Sequence, residues 1–116
     1  MSSDIDQLQV ALRTFADNRD WGQFHSPKNL AAALSVEAAE LLEHFQWLTE
    51  EQSRALPVEK RAMVAEEVAD VLLYLLQLSD RLQIDVMASA WKKIEANGQK
   101  YPVEKSKGSM RKYNEI

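Results

Sequence analysis

Two short stretches of this chain carry the same unusual pattern. "EAAELL" sets Glu37 and Glu40 three residues apart, and "EVADVLL" repeats the interval with Glu67 and Asp70. On a helix of about 100° per residue, Leu30, Leu41 and Leu48 fall within about 40° of Glu37, with Leu34 at about 60°. The first acid pair therefore shares the face that apolar periodicity assigns to a core. Around Glu67, Val71, Tyr74 and Leu78 fall within about 40°, Val64 at about 60° and Asp70 at about −60°. Glu66 points about 100° away and is an ordinary surface charge.

Four carboxylates turned toward one apolar space repel one another, and desolvation and like charge both favour protonation. A hard divalent cation removes the conflict. Mg²⁺ prefers oxygen ligands and keeps several waters, Mn²⁺ can take its place, and carboxylates at i and i+3 converge on one ion from adjacent turns. An ion-pair network would need inward cations, and only His44, Lys60 and Arg81 come near the acid face. Di-iron carboxylate bundles use Glu-x-x-His on two of their helices, whereas here the fourth residue is Glu or Asp and His44 lies at another offset. The chain has no cysteine and no Ser, His and Asp arrangement, so a covalent intermediate is not expected.

The elements that must hold these acids are helical. Only three Gly and three Pro interrupt 116 residues. The spacing predicts a first helix from Ser3 to about Asn18, with Ile5, Leu8, Leu12 and Phe15 inward. Ser26-Pro27 starts a second helix running to about Trp47, and Thr49 with Gln52 starts one short turn. Pro57 opens a long third helix over 58–82. Asp85 caps a fourth, with Met87, Ala90, Trp91 and Ile94 inward and Asn97-Gly98 as its stop. The expected fold is an all-α, four-helix-bundle-like single domain over 1–116, with an irregular, basic tail at 99–116.

Charge sharpens the division. Residues 1–98 hold 9 Lys/Arg and 16 Asp/Glu, whereas residues 99–116 hold 5 and 2. An acidic body does not suit nucleic acid, which is held by cations on its phosphates, and the tail suits a smaller anion. No basic region followed by an apolar stretch opens the sequence, and no run of about 18 apolar residues is long enough for a membrane span. The expectation is a soluble, cytoplasmic protein.

Taken together, "RDWGQFHSPKNL", "VEAAELLEHFQW", "EEVADVLLYL" and "NGQKYPVEKSKGSMRKY" resemble the MazG-like all-α nucleoside triphosphate pyrophosphatases, and most closely their small dCTP pyrophosphatase branch. The resemblance runs over nearly the whole chain. It implies Mg²⁺-dependent hydrolysis of a nucleoside triphosphate, a dNTP such as dCTP, to the monophosphate and pyrophosphate. It also implies that Glu37, Glu40, Glu67 and Asp70 are metal ligands and catalytic residues. Trp21, Phe24 and His25 would line the base pocket, with Trp47 and Tyr74 also at the substrate. Asn97, Lys100 and Tyr101 would lie near the nucleotide, and Arg111 and Lys112 near phosphates. Some relatives carry a histidine in the first helix where this chain has Leu12. The third helix is apolar on the side opposite its acids, at Leu72, Leu73 and Leu76, which predicts a homo-oligomer, and the family's dimers or dimers of dimers agree. The alternative is a catalytically silent helical module kept for dimerisation or regulation; the intact acid pairs favour the enzyme.

Overall fold

Ser3 starts the first helix: its hydroxyl accepts from the Asp6 amide, and the Asp6 carboxylate accepts from the Ser3 amide in return. The same reciprocal cap recurs at Thr49 and Gln52. Ser26 caps the Asn29 amide, and Asp85 caps the Ala88 amide. These caps start the four helices where the sequence predicts. A computed structural model describes residues 3–116, and every regular element within them is helical. Helix α1 is Asp4–Asn18, α2 Pro27–Glu43, α3 Glu50–Arg54, α4 Val58–Arg81, α5 Val86–Lys100 and α6 Val103–Ser106, with a 3₁₀ turn at Gly22–Phe24. None of these helices is long and apolar enough to cross a membrane.

Contacts divide the chain into two compact units, one ending at Gln83 and the other Ile84–Ile116. In the first, α4 is the central rod, packed mainly against α2 and also against α1. Leu30 of α2 and Leu76 of α4 are each 1% exposed, and Ala16 of α1 is buried with them. Polar bonds fix α1 on α4. Buried Gln9 donates from Nε2 to the Leu76 carbonyl at 3.1 Å, and Arg13 makes a two-pronged pair with Asp80 at 2.7 and 3.2 Å. In the second unit, the rings of Tyr101 and Tyr113 meet edge to face at 6.2 Å.

The structure departs from the sequence expectations in four places. Helix α2 ends at Glu43, before Trp47, because the His44 and Phe45 amides turn back to the carbonyls three residues earlier and tighten the chain into turns. Helix α5 runs through Gly98 to Lys100; the Tyr101 amide still reaches the Asn97 carbonyl at 2.9 Å. A mid-helix glycine costs about 1 kcal/mol relative to alanine, a penalty that does not by itself end a helix. The tail is not wholly irregular, since α6 forms behind Pro102.

The fourth departure concerns which residues are covered. On α1 the buried positions are Gln9 and Ala16, while Leu8 and Phe15 stay exposed. On α5, Met87, Trp91 and Ile94 are exposed, with Trp91 at 67%. On α4, Leu76 is buried under α1, and the exposed apolar stripe consists of Val68, Leu72 and Leu75. Their spacing of four and three residues puts them on one side of the helix.

Candidate functional site

Helices α2 and α4 are the most closely packed pair, and their acid pairs meet across that contact. One carboxylate oxygen each from Glu37, Glu67 and Asp70 lies within 4.8 Å of the other two. Glu37 and Glu67 are half-buried. Each turns an Oε2 atom into the protein where it is buried with no hydrogen-bond partner among the described residues. Such orphaned acceptors are costly unless a donor or a cation reaches them.

Electrostatics single out Glu37. Its pKa is pushed up to about 7, first by burial, then by contact with the carboxyl groups of Glu40 and Glu67 and the negative charge of Glu40 and Asp70. Glu40 stands one turn along α2, outside the close triangle yet near enough to act on Glu37. Two buried acceptors without donors, three converging carboxylates and an all-oxygen donor set fit a hard divalent cation. Glu37, Glu67 and Asp70 could hold it directly, with Glu40 beside them.

A cavity of about 400 Å³ opens next to this cluster, between α1, the loop after it and α4. Leu8, Leu12 and Phe15 form one apolar wall, and Leu73 and Tyr74 the facing one. Asp70 lines the same cavity, so this single carboxylate joins the acid triangle to the apolar space. The loop supplies Trp21 and His25, whose rings stand edge to face at 6.2 Å. Phe15 meets the Trp21 ring at 5.7 Å and carries the Arg19 guanidinium 3.6 Å above its own.

The loop is held in shape by its backbone. The Trp21 amide returns to the Ala16 carbonyl at 2.9 Å, and Asp20 takes a left-handed conformation (φ 54°) to allow it. Aspartate is among the few residues that tolerate this region. Gln23 donates to the Asp20 carbonyl, and Asn29 donates to the Phe24 carbonyl at 2.9 Å.

Of the residues singled out in the sequence, Glu37, Glu67 and Asp70 come together as a triangle, and Trp21, His25 and Tyr74 surround the neighbouring cavity. Phe24 sits on the 3₁₀ turn, exposed and outside the lining. Trp47 stands on the turn after α2, 86% exposed, and does not line the cavity either. Asn97 and Lys100 lie in the last turn of α5, and Tyr101, Arg111 and Lys112 follow it, all within the second unit. There, Lys100 places its Nζ 5.1 Å from the Tyr113 ring, and the Arg111 amide donates to the Ser109 hydroxyl. Sequence reasoning missed Gln77, which also lines the cavity. The signal was present: a lone amide in the run "LLYLLQL", seven residues beyond Asp70 and so on its face of the helix.

The model of the MazG-like family matches residues 32–116. The chain is 45% identical over 104 residues to dCTP pyrophosphatase 1 of Mus musculus, and 40% identical over 104 residues to that of Homo sapiens. Each match takes in 88% of this chain and 61% of the mammalian protein, so the chain spans less than two-thirds of those relatives. Among solved structures, a pyrophosphatase from Archaeoglobus fulgidus superposes with a TM-score of 0.82 at 41% identity, covering 88% of this chain and 95% of that one.

Proposed function

Because the chain belongs to the MazG-like family, we propose that it is a divalent-cation-dependent nucleoside triphosphate pyrophosphohydrolase that converts a dNTP to dNMP and pyrophosphate. The observation that carries this reading is the double membership of Asp70. It is a corner of the carboxylate triangle and a wall of the aromatic-lined cavity, so the acidic and apolar parts of one substrate would meet at this residue. The names of the mammalian relatives point to dCTP as the first substrate to test.

In this reading the cavity takes the base and sugar. Trp21 offers a ring face for stacking, a contact worth about 1–3 kcal/mol in comparable sites. Leu8, Leu12 and Phe15 exclude water from it. Glu37, Glu67 and Asp70 hold Mg²⁺, for which Mn²⁺ can substitute. When bound, the cation offsets charge on the phosphates and makes a water more acidic. The nucleophile is a water at the carboxylate cluster, and the chain contains no cysteine that could take its place. Glu37 or Glu40 accepts its proton. The exposed stripe Val68, Leu72 and Leu75 makes α4 the surface on which a second copy of the chain would pack into a homo-oligomer.

The test is direct. The purified protein is incubated with each dNTP and rNTP plus Mg²⁺, and the products are separated. Pyrophosphate and monophosphate are expected; orthophosphate would place the cleaved bond elsewhere, and no turnover of any nucleotide would overturn the reading. Glu67→Ala is expected to abolish turnover while helical content by circular dichroism is kept.

A further inference from the structure

The base end of the cavity has a polar group whose direction is already decided. Gln77 lines the cavity, and its Nε2 donates to the Leu73 carbonyl, one turn earlier on α4, at 3.2 Å. Only the nitrogen of an amide side chain can make that bond; the reverse orientation would press two acceptors together. The Leu73 carbonyl therefore fixes the amide, and what remains for a ligand is its oxygen. Among the described residues no donor is bonded to that oxygen.

Position adds the second half of the argument. Gln77 follows Asp70 by seven residues, which returns to the same stripe within about 20° and advances about 10 Å along the helix. Asp70 marks the acidic end of the cavity, and Gln77 lies two turns farther along the same wall. A nucleotide with its phosphates at the acids extends over a comparable length to the substituent at the far edge of its base. Cytosine and adenine carry an amino group there; uracil, thymine and guanine carry an oxygen. The neighbouring wall of Leu8, Leu12, Phe15 and Leu73 carries no side-chain donor or acceptor, so the polar groups that share the cavity with Asp70 and Gln77 are those of Trp21, His25 and Tyr74.

We infer that Gln77 is a specificity-determining residue, whose amide oxygen accepts a hydrogen bond from the exocyclic amino group of the base and opposes an oxo group in its place. The inference rests on the cavity being the base site, as proposed above. A site built to pair one hydrogen-bonding pattern rejects its opposite, because the buried partners are then left unsatisfied.

The experiment is calorimetric titration of dCMP and dUMP into the whole protein with Mg²⁺ present, in the natural sequence and in Gln77→Met, which keeps length and removes the acceptor. Gln77→Ala serves as a second variant if the first loses helical content. Turnover of dCTP and dUTP is measured in parallel. The natural protein is expected to favour dCMP on the order of tenfold. The variant is expected to lose that preference through weaker dCMP binding, with dUMP within about twofold of its original affinity. Equal binding of the two monophosphates by the natural protein, no binding of either, or a preference that survives both substitutions would overturn the inference. A Gln77-dependent preference without hydrolysis of any triphosphate would uphold it and sink the hydrolytic reading. Hydrolysis of dCTP and dUTP with equal efficiency would do the reverse.

Discussion

Cation binding should be steeply pH-dependent near neutrality, and Glu37 is the reason. Its pKa is pushed up to about 7 by burial and by the neighbouring acids. A ligand carboxylate must lose its proton before it can bind. With that pKa, the ionised fraction is roughly 0.9 at pH 8 and roughly 0.1 at pH 6, so the apparent dissociation constant should rise about tenfold between them. The sign for folding runs the other way. A carboxyl whose pKa is raised in the folded state binds more protons there than in the unfolded chain, so the metal-free fold loses stability as pH rises from about 4.5 to about 7. Mg²⁺ should recover that loss above pH 7. Isothermal titration with Mn²⁺ at pH 6, 7 and 8, alongside thermal unfolding with and without Mg²⁺, reads both effects. Glu37→Gln should flatten the pH profile. A Mn²⁺ affinity that is level from pH 6 to 8 in the natural protein, or a slope that persists in Glu37→Gln, would refute the reasoning.

Four other outcomes follow from the packing. Leu76→Ala removes one of the most deeply buried side chains and should cost about 2–5 kcal/mol in urea unfolding. Gln9→Met keeps the shape but loses the bond to the Leu76 carbonyl; about 1 kcal/mol of destabilisation is expected by the same method. Gln83 holds a left-handed conformation (φ 55°) just past the end of α4, where glycine is favoured, so Gln83→Gly should raise stability by about 0.5–1 kcal/mol in thermal unfolding. Changing Leu72 and Leu75 together to Glu should shift the sedimentation coefficient to that of a single chain; unchanged sedimentation would place self-association on another surface.

Four helix starts were legible because each is written in a cap, Ser3 with Asp6, Ser26 with Pro27, Thr49 with Gln52, and Asp85, whereas α4 starts behind Pro57 with no side-chain cap. Helix ends were less so. Trp47 lies beyond α2, and Gly98 lies inside α5, since a C-terminus depends on where the following chain must go, and that is a tertiary matter. The acids were legible because a period of three among leucines marks a charged residue on an apolar face. The apolar positions themselves were not. Periodicity says that Leu8 and Phe15 face inward, but it cannot distinguish a packed interior from the wall of a cavity. Nor could it tell that Leu76 is covered by α1 within one chain while Leu72 is left for something else. Gln77 escaped for the opposite reason, since one amide among leucines is usually unremarkable until its hydrogen bond is seen.

Helix α4 carries Glu67, Asp70, Tyr74 and Gln77 on one unbroken rod. It therefore works as a graduated scale, with acid, aromatic and amide at set marks. Adding or deleting a single residue between Asp70 and Gln77 would turn everything downstream by about 100° and slide it by about 1.5 Å, so that the two ends no longer face one ligand. Substitutions along this segment can be graded in effect; changes in its length cannot. Insertions should instead be accepted in the turns between α2 and α4, outside these marks, where backbone can be lengthened without rotating the scale.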